Sequence, residues 1–279
     1  MDLNDRVVVV TGGGSGIGEA LAVAAREAGA RHVVVVDLDG DAAETVAAAV
    51  GGTAAVLDVR DEAAMVELVR STEAAHGPIG VFCSNAGFVT QGGVEEPDDV
   101  LQALWEVHVM AHVHAARAVL PSMIEQGEGY LLNTASAAGL LTQLGSLGYT
   151  ITKHAAVALA EWLAIAHHHQ GIRVSVVCPQ AVRTNIIDNS PDARVSGPSA
   201  DGPLGVPLTE GVVEADDVAR LCIEAIGDER FWVLPHPEVA QFVTQKAGDV
   251  DRWLAGMRRY QARLYGDVPL PGEWLLTGD

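Results

Sequence analysis

The chain has 279 residues, 49% of them hydrophobic, with 17 Lys and Arg against 37 Asp and Glu, for a formal charge of −20. That length suits one α/β domain or two small ones. The acidic residues are spread along the chain, which argues against nucleic acid or an anionic membrane as partner, because phosphate contacts need clustered Arg and Lys.

Apolar runs such as Val7–Val10 and Val33–Val36 are far too short to span a bilayer. The opening MDLNDRVVVV lacks a basic segment followed by a long apolar stretch, so no signal peptide is expected and a cytoplasmic location is. Cys83, Cys178 and Cys222 are odd in number, lack metal-ligand spacing and sit in apolar segments, which reads as buried free thiols.

In chain order, the first expected strand, Arg6–Thr11, runs into the loop TGGGSGIG at 11–18 and then the helical pattern GEALAVAAREAG. Such a strand-to-helix turn lets backbone N–H groups approach a diphosphate at the helix N-terminus, where the helix dipole favours negative charge. Glycine is needed because a Cβ would block that approach and because positive φ is expected. Gly12, Gly14, Ser15, Gly16, Ile17 and Gly18 are the candidate cofactor contacts of this loop.

The second expected strand, His32–Asp37, ends in an acid nineteen residues after Gly18. A carboxylate there accepts hydrogen bonds from an adenosine ribose diol and repels a 2′-phosphate. Leu38 follows Asp37 and Ser15 lies in the loop, so neither supplies a cation for that phosphate, and NAD is favoured over NADP.

Further strands are expected at Thr53–Asp58, Ile79–Ser84, Gly129–Thr134, Ile172–Cys178 and Phe231–Leu234, with helical spacing in segments such as EAAMVELVRSTEAA. Near-continuous Val, Ile and Leu in these strands predicts a sheet covered by helices on both faces. Repeated βα alternation predicts a doubly wound parallel sheet of about seven strands, and no linker divides it, so 1–279 reads as one Rossmann-type domain.

Two stretches depart from that rhythm. Residues 189–211, within an insertion at 185–212, are rich in Pro, Gly and Ser and too long for an ordinary connection, which reads as a functional lid or a disordered loop. Residues 236–279 form a C-terminal extension, helical at first, that packs on the domain, covers a site or meets another subunit.

The segment GYTITKHAAVALAEW at 148–162 carries one of the chain's two lysines, against fifteen arginines. Helical i,i+4 spacing puts Tyr149 and Lys153 on one face. Other tempting clusters are weaker. His167, His168 and His169 are consecutive and cannot all face one ion, and His108, His112 and His114 lack the acidic partner of a helical zinc site, so no metal is expected. Trp105, Trp162, Trp232 and Trp253 read as core or interface residues.

Together the segments resemble the short-chain dehydrogenase/reductase family in its single-domain branch, from about Arg6 to Leu234. The motifs keep the family order: TGGGSGIG at 11–18, LDV at 57–59, SNAG at 84–87, NTASAAG at 133–139, YTITK at 149–153 and CPQAVRT at 178–184. The resemblance implies catalysis by Ser136, Tyr149 and Lys153, with Ser136 thirteen residues before Tyr149 as the family spacing requires. It implies that Asp58 and Val59 border the adenine and that Asn85, Ala86 and Gly87 line the cofactor cleft. Pro179 and Thr184, with Gln180 and Val182 between them, resemble the segment that holds the nicotinamide carboxamide.

Two positions depart from the family pattern. His108 stands where an Asn implicated in a water relay from the lysine is usual, and an imidazole can serve that relay or simply pack. Gln180 replaces the usual Gly after Pro179 and is expected to narrow the cleft.

The resemblance implies an alcohol/ketone oxidoreductase in which Tyr149 is general base and acid, Lys153 and the positive nicotinamide ring together lower its pKa, and Ser136 orients the substrate oxygen. A nucleotide-sugar epimerase or dehydratase shares Tyr-x-x-x-Lys but generally uses G-x-x-G-x-x-G, whereas Gly12, Gly16 and Gly18 follow G-x-x-x-G-x-G. A non-catalytic dinucleotide sensor would be expected to lose part of the Ser136, Tyr149 and Lys153 set, and all three are present. Expected substrate contacts are Ser136, Leu140, Gln143, Tyr149 and Gln180, with Leu141 and Leu144 beside them, a mostly apolar set that suits a cyclic, steroid-like or aryl alcohol. The resemblance also implies a homodimer or homotetramer.

Overall fold

The structure is a computed structural model, and it describes residues 1–184, 186, 190 and 211–266. Seven strands make one parallel sheet: β1 (Val7–Thr11), β2 (His32–Asp37), β3 (Thr53–Val56), β4 (Ile79–Ser84), β5 (Gly129–Thr134), β6 (Ile172–Val177) and β9 (Trp232–Val233). Their order is β3-β2-β1-β4-β5-β6-β9. The order reverses between β1 and β4, and in such sheets the crevice beyond the strand C-termini at that point is where ligands bind.

Both faces of the sheet are buried, as the Val-rich strands require. Val7 and Val9 point into one core with Met65, Val119 and Ala156, while Val8 and Val10 point into the other with Leu21, Val46 and Ile226. That division follows from side chains alternating along a strand. Helices α1 (Gly16–Glu27), α2 (Gly40–Val50) and α7 (Ala215–Asp228) cover the second core; α3 (Glu62–His76), α5 (Ala111–Gln126) and α6 (Leu147–His167) cover the first. Asp39 and Asp61 cap α2 and α3 by accepting from the N–H groups of Ala42 and Ala64.

Helix α4 (Asp98–Trp105) passes without a break into a π turn, Glu106–Met110, and then into α5. A π turn inside a helix inserts an extra residue and re-aims the side chains around it. His108 sits at its centre.

Two elements were not expected from the sequence. Strands β7 (Val182–Arg183) and β8 (Val213–Glu214) pair in parallel and bracket the 185–212 insertion. Most of that insertion, like residues 267–279, lies outside the described residues. Its described Ser190 donates to the Ile186 carbonyl at 2.6 Å and accepts from the Val89 N–H at 3.0 Å. The C-terminal extension forms two helices, α8 (Glu238–Gly248) and α9 (Val250–Tyr265), broken at Asp249, whose side chain caps α9 by accepting from the Arg252 N–H.

Strand boundaries shift slightly. The third strand ends at Val56 rather than Asp58, where Asp58 instead turns back to accept from the N–H and guanidinium of Arg60. Among the described residues, no helix is long and apolar enough to cross a membrane.

Candidate active site

The glycine loop closes on itself as the sequence demands. Gly12 and Gly16 have φ of +61° and +55°, values that L side chains rarely adopt. A Cβ on Gly18 would collide with the carbonyl oxygen of Gly12, so this glycine permits close packing of α1 on β1 and does not itself face the cleft.

Asp37 is tied to that loop from the neighbouring strand. Its Oδ2 accepts from the Gly14 N–H at 2.8 Å and its Oδ1 from the Asp39 N–H at 3.1 Å. Asn85 braces the loop from the other side. Its amide donates to the carbonyls of Thr11 and Gly12 at 3.2 and 3.3 Å, and its Oδ1 accepts from the Thr134 hydroxyl at 3.0 Å. The ends of β1, β4 and β5 are thereby fixed against one another.

Ser136, Tyr149 and Lys153 meet at the far end of the same cleft. Ser136 follows β5; its hydroxyl donates to the Pro179 carbonyl at 3.3 Å and accepts from the Ala138 N–H at 3.1 Å. Tyr149 and Lys153 lie on successive turns of α6, with the Lys153 nitrogen 5.4 Å from the phenol ring centre. Lys153 is almost wholly buried and donates to the Thr134 carbonyl at 3.1 Å.

The expected lowering of the Tyr149 pKa needs the nicotinamide charge as well as Lys153, and burial alone acts the other way. Burial pushes Tyr149 up to about 12, while its hydrogen bond with Ser136 works in the opposite direction. Burial also brings Lys153 down to about 8. Desolvation penalises the charged form of each group and is the largest cause of both shifts.

His108 lies behind the cleft rather than in it, fully buried. Its Nδ1 is 2.9 Å from Thr152 Oγ1, and its Nε2 accepts from the Phe88 N–H at 3.3 Å. Thr152 donates its own proton to the Gly148 carbonyl at 2.9 Å, so Nδ1 must carry the imidazole proton. Burial and the Lys153 charge hold the His108 pKa well below its ordinary value. With both ring nitrogens engaged, a neutral His108 has no free donor or acceptor to pass a proton. Of the two roles open to it, relay or packing, this arrangement favours packing behind the cleft.

A cleft of about 1110 Å³ runs from Asp37 and Leu38 to the serine and tyrosine. Gly12, Ser15, Gly16, Ile17, Asp58, Val59, Asn85, Ala86 and Gly87 line it, as do Pro179, Gln180, Val182 and Thr184. Gln143, Leu141 and Leu144 line it too, but Leu140 does not. Leu140 packs instead with Leu234 and Val239, because the chain turns it toward the C-terminal helices. Gln180, expected to narrow the cleft, does line it, and its N–H donates to Nδ1 of the buried His236 at 3.1 Å. The other nitrogen of His236 donates to the Gly211 carbonyl at 2.6 Å, joining the cleft wall to the far end of the insertion.

Sequence reasoning missed the cleft residues of the extension. Phe242 on α8 and Trp253, Met257 and Tyr260 on α9 all line it. Trp253, read as core or interface, is thus a wall of the site. The i, i+4, i+7 spacing of Trp253, Met257 and Tyr260 was the available signal, since it aligns them on one helix face. Among the described residues, no group of three His, Cys, Asp or Glu could hold a metal ion.

Residues 6–194 match the family model described as short chain dehydrogenase. The chain is 34% identical over 261 residues to 1-deoxy-11-beta-hydroxypentalenate dehydrogenase of Streptomyces exfoliatus, covering 90% of each chain. It is 31% identical over 244 residues to levodione reductase of Leifsonia aquatica, covering 82% of this chain and 90% of that one. A short-chain dehydrogenase/reductase from Burkholderia phymatum in complex with NAD superposes with a TM-score of 0.80 at 29% identity, covering 90% of this chain and 96% of the other. The chain belongs to the short-chain dehydrogenase/reductase family of oxidoreductases, which bind a nicotinamide dinucleotide.

Proposed function

We propose that this protein is an NAD-dependent dehydrogenase that interconverts a secondary alcohol and its ketone. The observation that carries this reading is the meeting of Ser136, Tyr149 and Lys153 in one cleft whose other end is the glycine loop and Asp37. The relatives support it, since their names describe dehydrogenases and reductases of hydroxy and keto compounds.

The residues present fit the dinucleotide. Gly12 and Gly16 give a backbone cradle, where a Cβ on Gly12 would press on Ala86 at 2.8 Å. Ser15, Gly16 and Ile17 at the start of α1 would hold the diphosphate, Asp37 the adenosine ribose, and Lys153 the nicotinamide ribose. A nicotinamide dinucleotide, when bound, supplies the hydride acceptor and a positive charge beside the phenol.

Tyr149 takes the hydroxyl proton of the alcohol in oxidation and returns it in reduction. With its pKa at about 12 in the protein alone, the phenol holds its proton until positive charge is brought close. Lys153, kept beside the ring by the Thr134 carbonyl, adds to that charge in its ammonium form. Ser136 donates to the substrate oxygen, exchanging its contact with the Pro179 carbonyl for one that strengthens as negative charge develops. His108 acts through Thr152, holding the backbone of α6 beside Lys153 and the loop at Phe88.

Self-assembly into a dimer or tetramer is part of the proposal. It is supported by Ile151, Trp162 and Ile165 on α6, which are 50%, 61% and 80% exposed.

The test is a spectrophotometric screen of secondary alcohols with NAD and with NADP. Reduction of NAD by at least one of them supports the reading; a chain that reduces neither cofactor with any alcohol refutes it.

A further inference from the structure

The second of the chain's two lysines is as informative as the first. Lys246 on α8 donates to the carbonyls of Leu140 and Leu141 at 2.9 and 3.2 Å, directly after the Ser136 turn. Burial lowers its pKa, which is unusual for a lysine on an outer helix. Around it, Val239, Phe242, Val243 and Trp253 pack with Ala137, Leu140 and Leu141 as a third apolar cluster, separate from the two cores of the sheet.

A further contact fastens the far end. Gly145, with φ of +76°, lies against the Tyr265 hydroxyl at the end of α9, and a Cβ there would collide with it. The α8–α9 pair therefore bonds the Ser136–Gly145 segment through Lys246 and lies against it at Tyr265. It presents Phe242, just before Lys246, and Trp253, Met257 and Tyr260, between Lys246 and Tyr265, to the cleft that holds Tyr149. These helices lie beyond the part of the chain that matches the family model.

We infer that α8 and α9 are the specificity element of this enzyme, with Trp253 and Phe242 selecting a ring-bearing apolar alcohol and Lys246 as the positioning residue that holds them over Ser136. The inference rests on the proposed dehydrogenase reading. Its chemistry follows from the wall itself. Flat aromatic and thioether side chains pack well against rings. Lys246 is the one basic residue of α8, and its ammonium is engaged by two carbonyls, leaving it poorly placed to hold a carboxylate or phosphate. A linear charged substrate would find little here to fix its orientation.

Lysine suits the role better than the arginine preferred elsewhere. A compact ammonium with three donors can meet two adjacent carbonyls at close range, whereas a planar fork is shaped for carboxylates.

The experiment compares kcat/KM with NAD for a cyclic secondary alcohol, such as cyclohexanol or 1-tetralol, and for 2-butanol. In Trp253→Ala the ratio of cyclic to acyclic kcat/KM is expected to fall about 30-fold, the range expected when a pocket wall loses a large apolar group. Met257→Ala, a milder change on the same face, is expected to move the ratio in the same direction. Lys246→Met is expected to raise KM for the cyclic alcohol with most of the change outside kcat, and Lys246→Arg, which keeps charged donors, to recover part of it. If both Trp253→Ala and Met257→Ala leave the ratio within twofold of the parent enzyme, the specificity assignment is overturned. If Lys246→Met changes kcat and KM equally for both alcohols and Lys246→Arg recovers nothing, Lys246 does not position this wall. A parent enzyme inactive with every alcohol refutes the dehydrogenase reading first and carries the inference down with it; a parent enzyme that is active while the ratio stays fixed refutes the inference alone.

Discussion

His108 and Thr152 are joined by a buried hydrogen bond of 2.9 Å that spans the π turn and α6 one residue before Lys153. With Nε2 accepting from the Phe88 N–H, the imidazole links three segments around the site without entering the cleft. His108→Leu would leave the part-buried Phe88 N–H and one side of the buried Thr152 hydroxyl without this partner, at roughly 1–3 kcal/mol for a buried group left unpaired. The expected outcome is a loss of about 2 kcal/mol in unfolding free energy, measured by denaturant titration. His108→Asn, which still offers a donor and an acceptor, is expected to recover part of that loss. Equal stability of His108→Leu and the parent would show that the bond holds nothing.

The pH dependence of the reaction tests Tyr149. Oxidation needs the phenolate, whose fraction rises about tenfold per pH unit below its pKa. With saturating NAD, kcat for oxidation is therefore expected to rise with pH to a plateau set by a pKa below the value of about 12 that burial gives the protein alone. Reduction needs the protonated phenol, so its kcat should fall over the same range. Lys153→Met removes a positive charge beside the ring and is expected to move the limb to higher pH. Tyr149→Phe is expected to lower kcat by about 10²–10⁴-fold, while NADH binding, read by fluorescence titration, changes much less. A profile that is flat in both directions would exclude Tyr149 as the proton carrier.

Much of this was legible in the sequence because the signals are local. The strands β1 and β2 are short β-branched runs, β4, β5 and β6 are largely apolar runs, and the glycine loop, Asp37 and the Tyr149–Lys153 pair stand out by local spacing. What was hidden depends on contacts between distant segments. The bond from His236 to the Gln180 N–H, 56 residues apart, leaves no periodic trace, nor does the seating of Lys246 on Leu140. The pull of burial on Tyr149 is hidden for a related reason: spacing reveals the neighbouring ammonium, but desolvation depends on everything packed around the ring. Leu140 is close to Ser136 in sequence, which points it to the cleft, and only the fold shows that it packs with the cluster beside α8.

Asp37 decides the choice of dinucleotide in this reading. Its carboxylate already accepts from Gly14 and Asp39, so it is held at the rim of the cleft with a fixed negative charge. A 2′-phosphate would meet that charge with no compensating cation at Leu38 or Ser15. The parent enzyme is expected to favour NAD. In Asp37→Ser the ratio of kcat/KM for NAD to that for NADP should fall by at least about tenfold, the equivalent of roughly 1.4 kcal/mol of removed repulsion. KM for NAD should rise as well, since Gly14 loses its anchor. A parent enzyme that prefers NADP would overturn the role given to Asp37.

The site carries a stability cost that acid should expose. His112, one turn beyond His108, is buried, and neither of its ring nitrogens has a partner among the described residues. Burial and the Lys153 charge lower its pKa to about 3. An unfolded chain takes up that proton near pH 6.5, so between there and about pH 3 the unfolded state binds a proton that the folded state refuses. Stability from this residue is therefore complete above pH 6.5 and is lost as pH falls, by about 1.4 kcal/mol for each unit. His112→Leu replaces the imidazole with an apolar side chain and removes the penalty. Unfolding free energies of parent and variant, measured at pH 7 and pH 5, should diverge in favour of the variant by about 2 kcal/mol over that interval. An unchanged gap would mean that His112 binds its proton in the folded protein, and that the pocket beside Lys153 is wetter than its packing indicates.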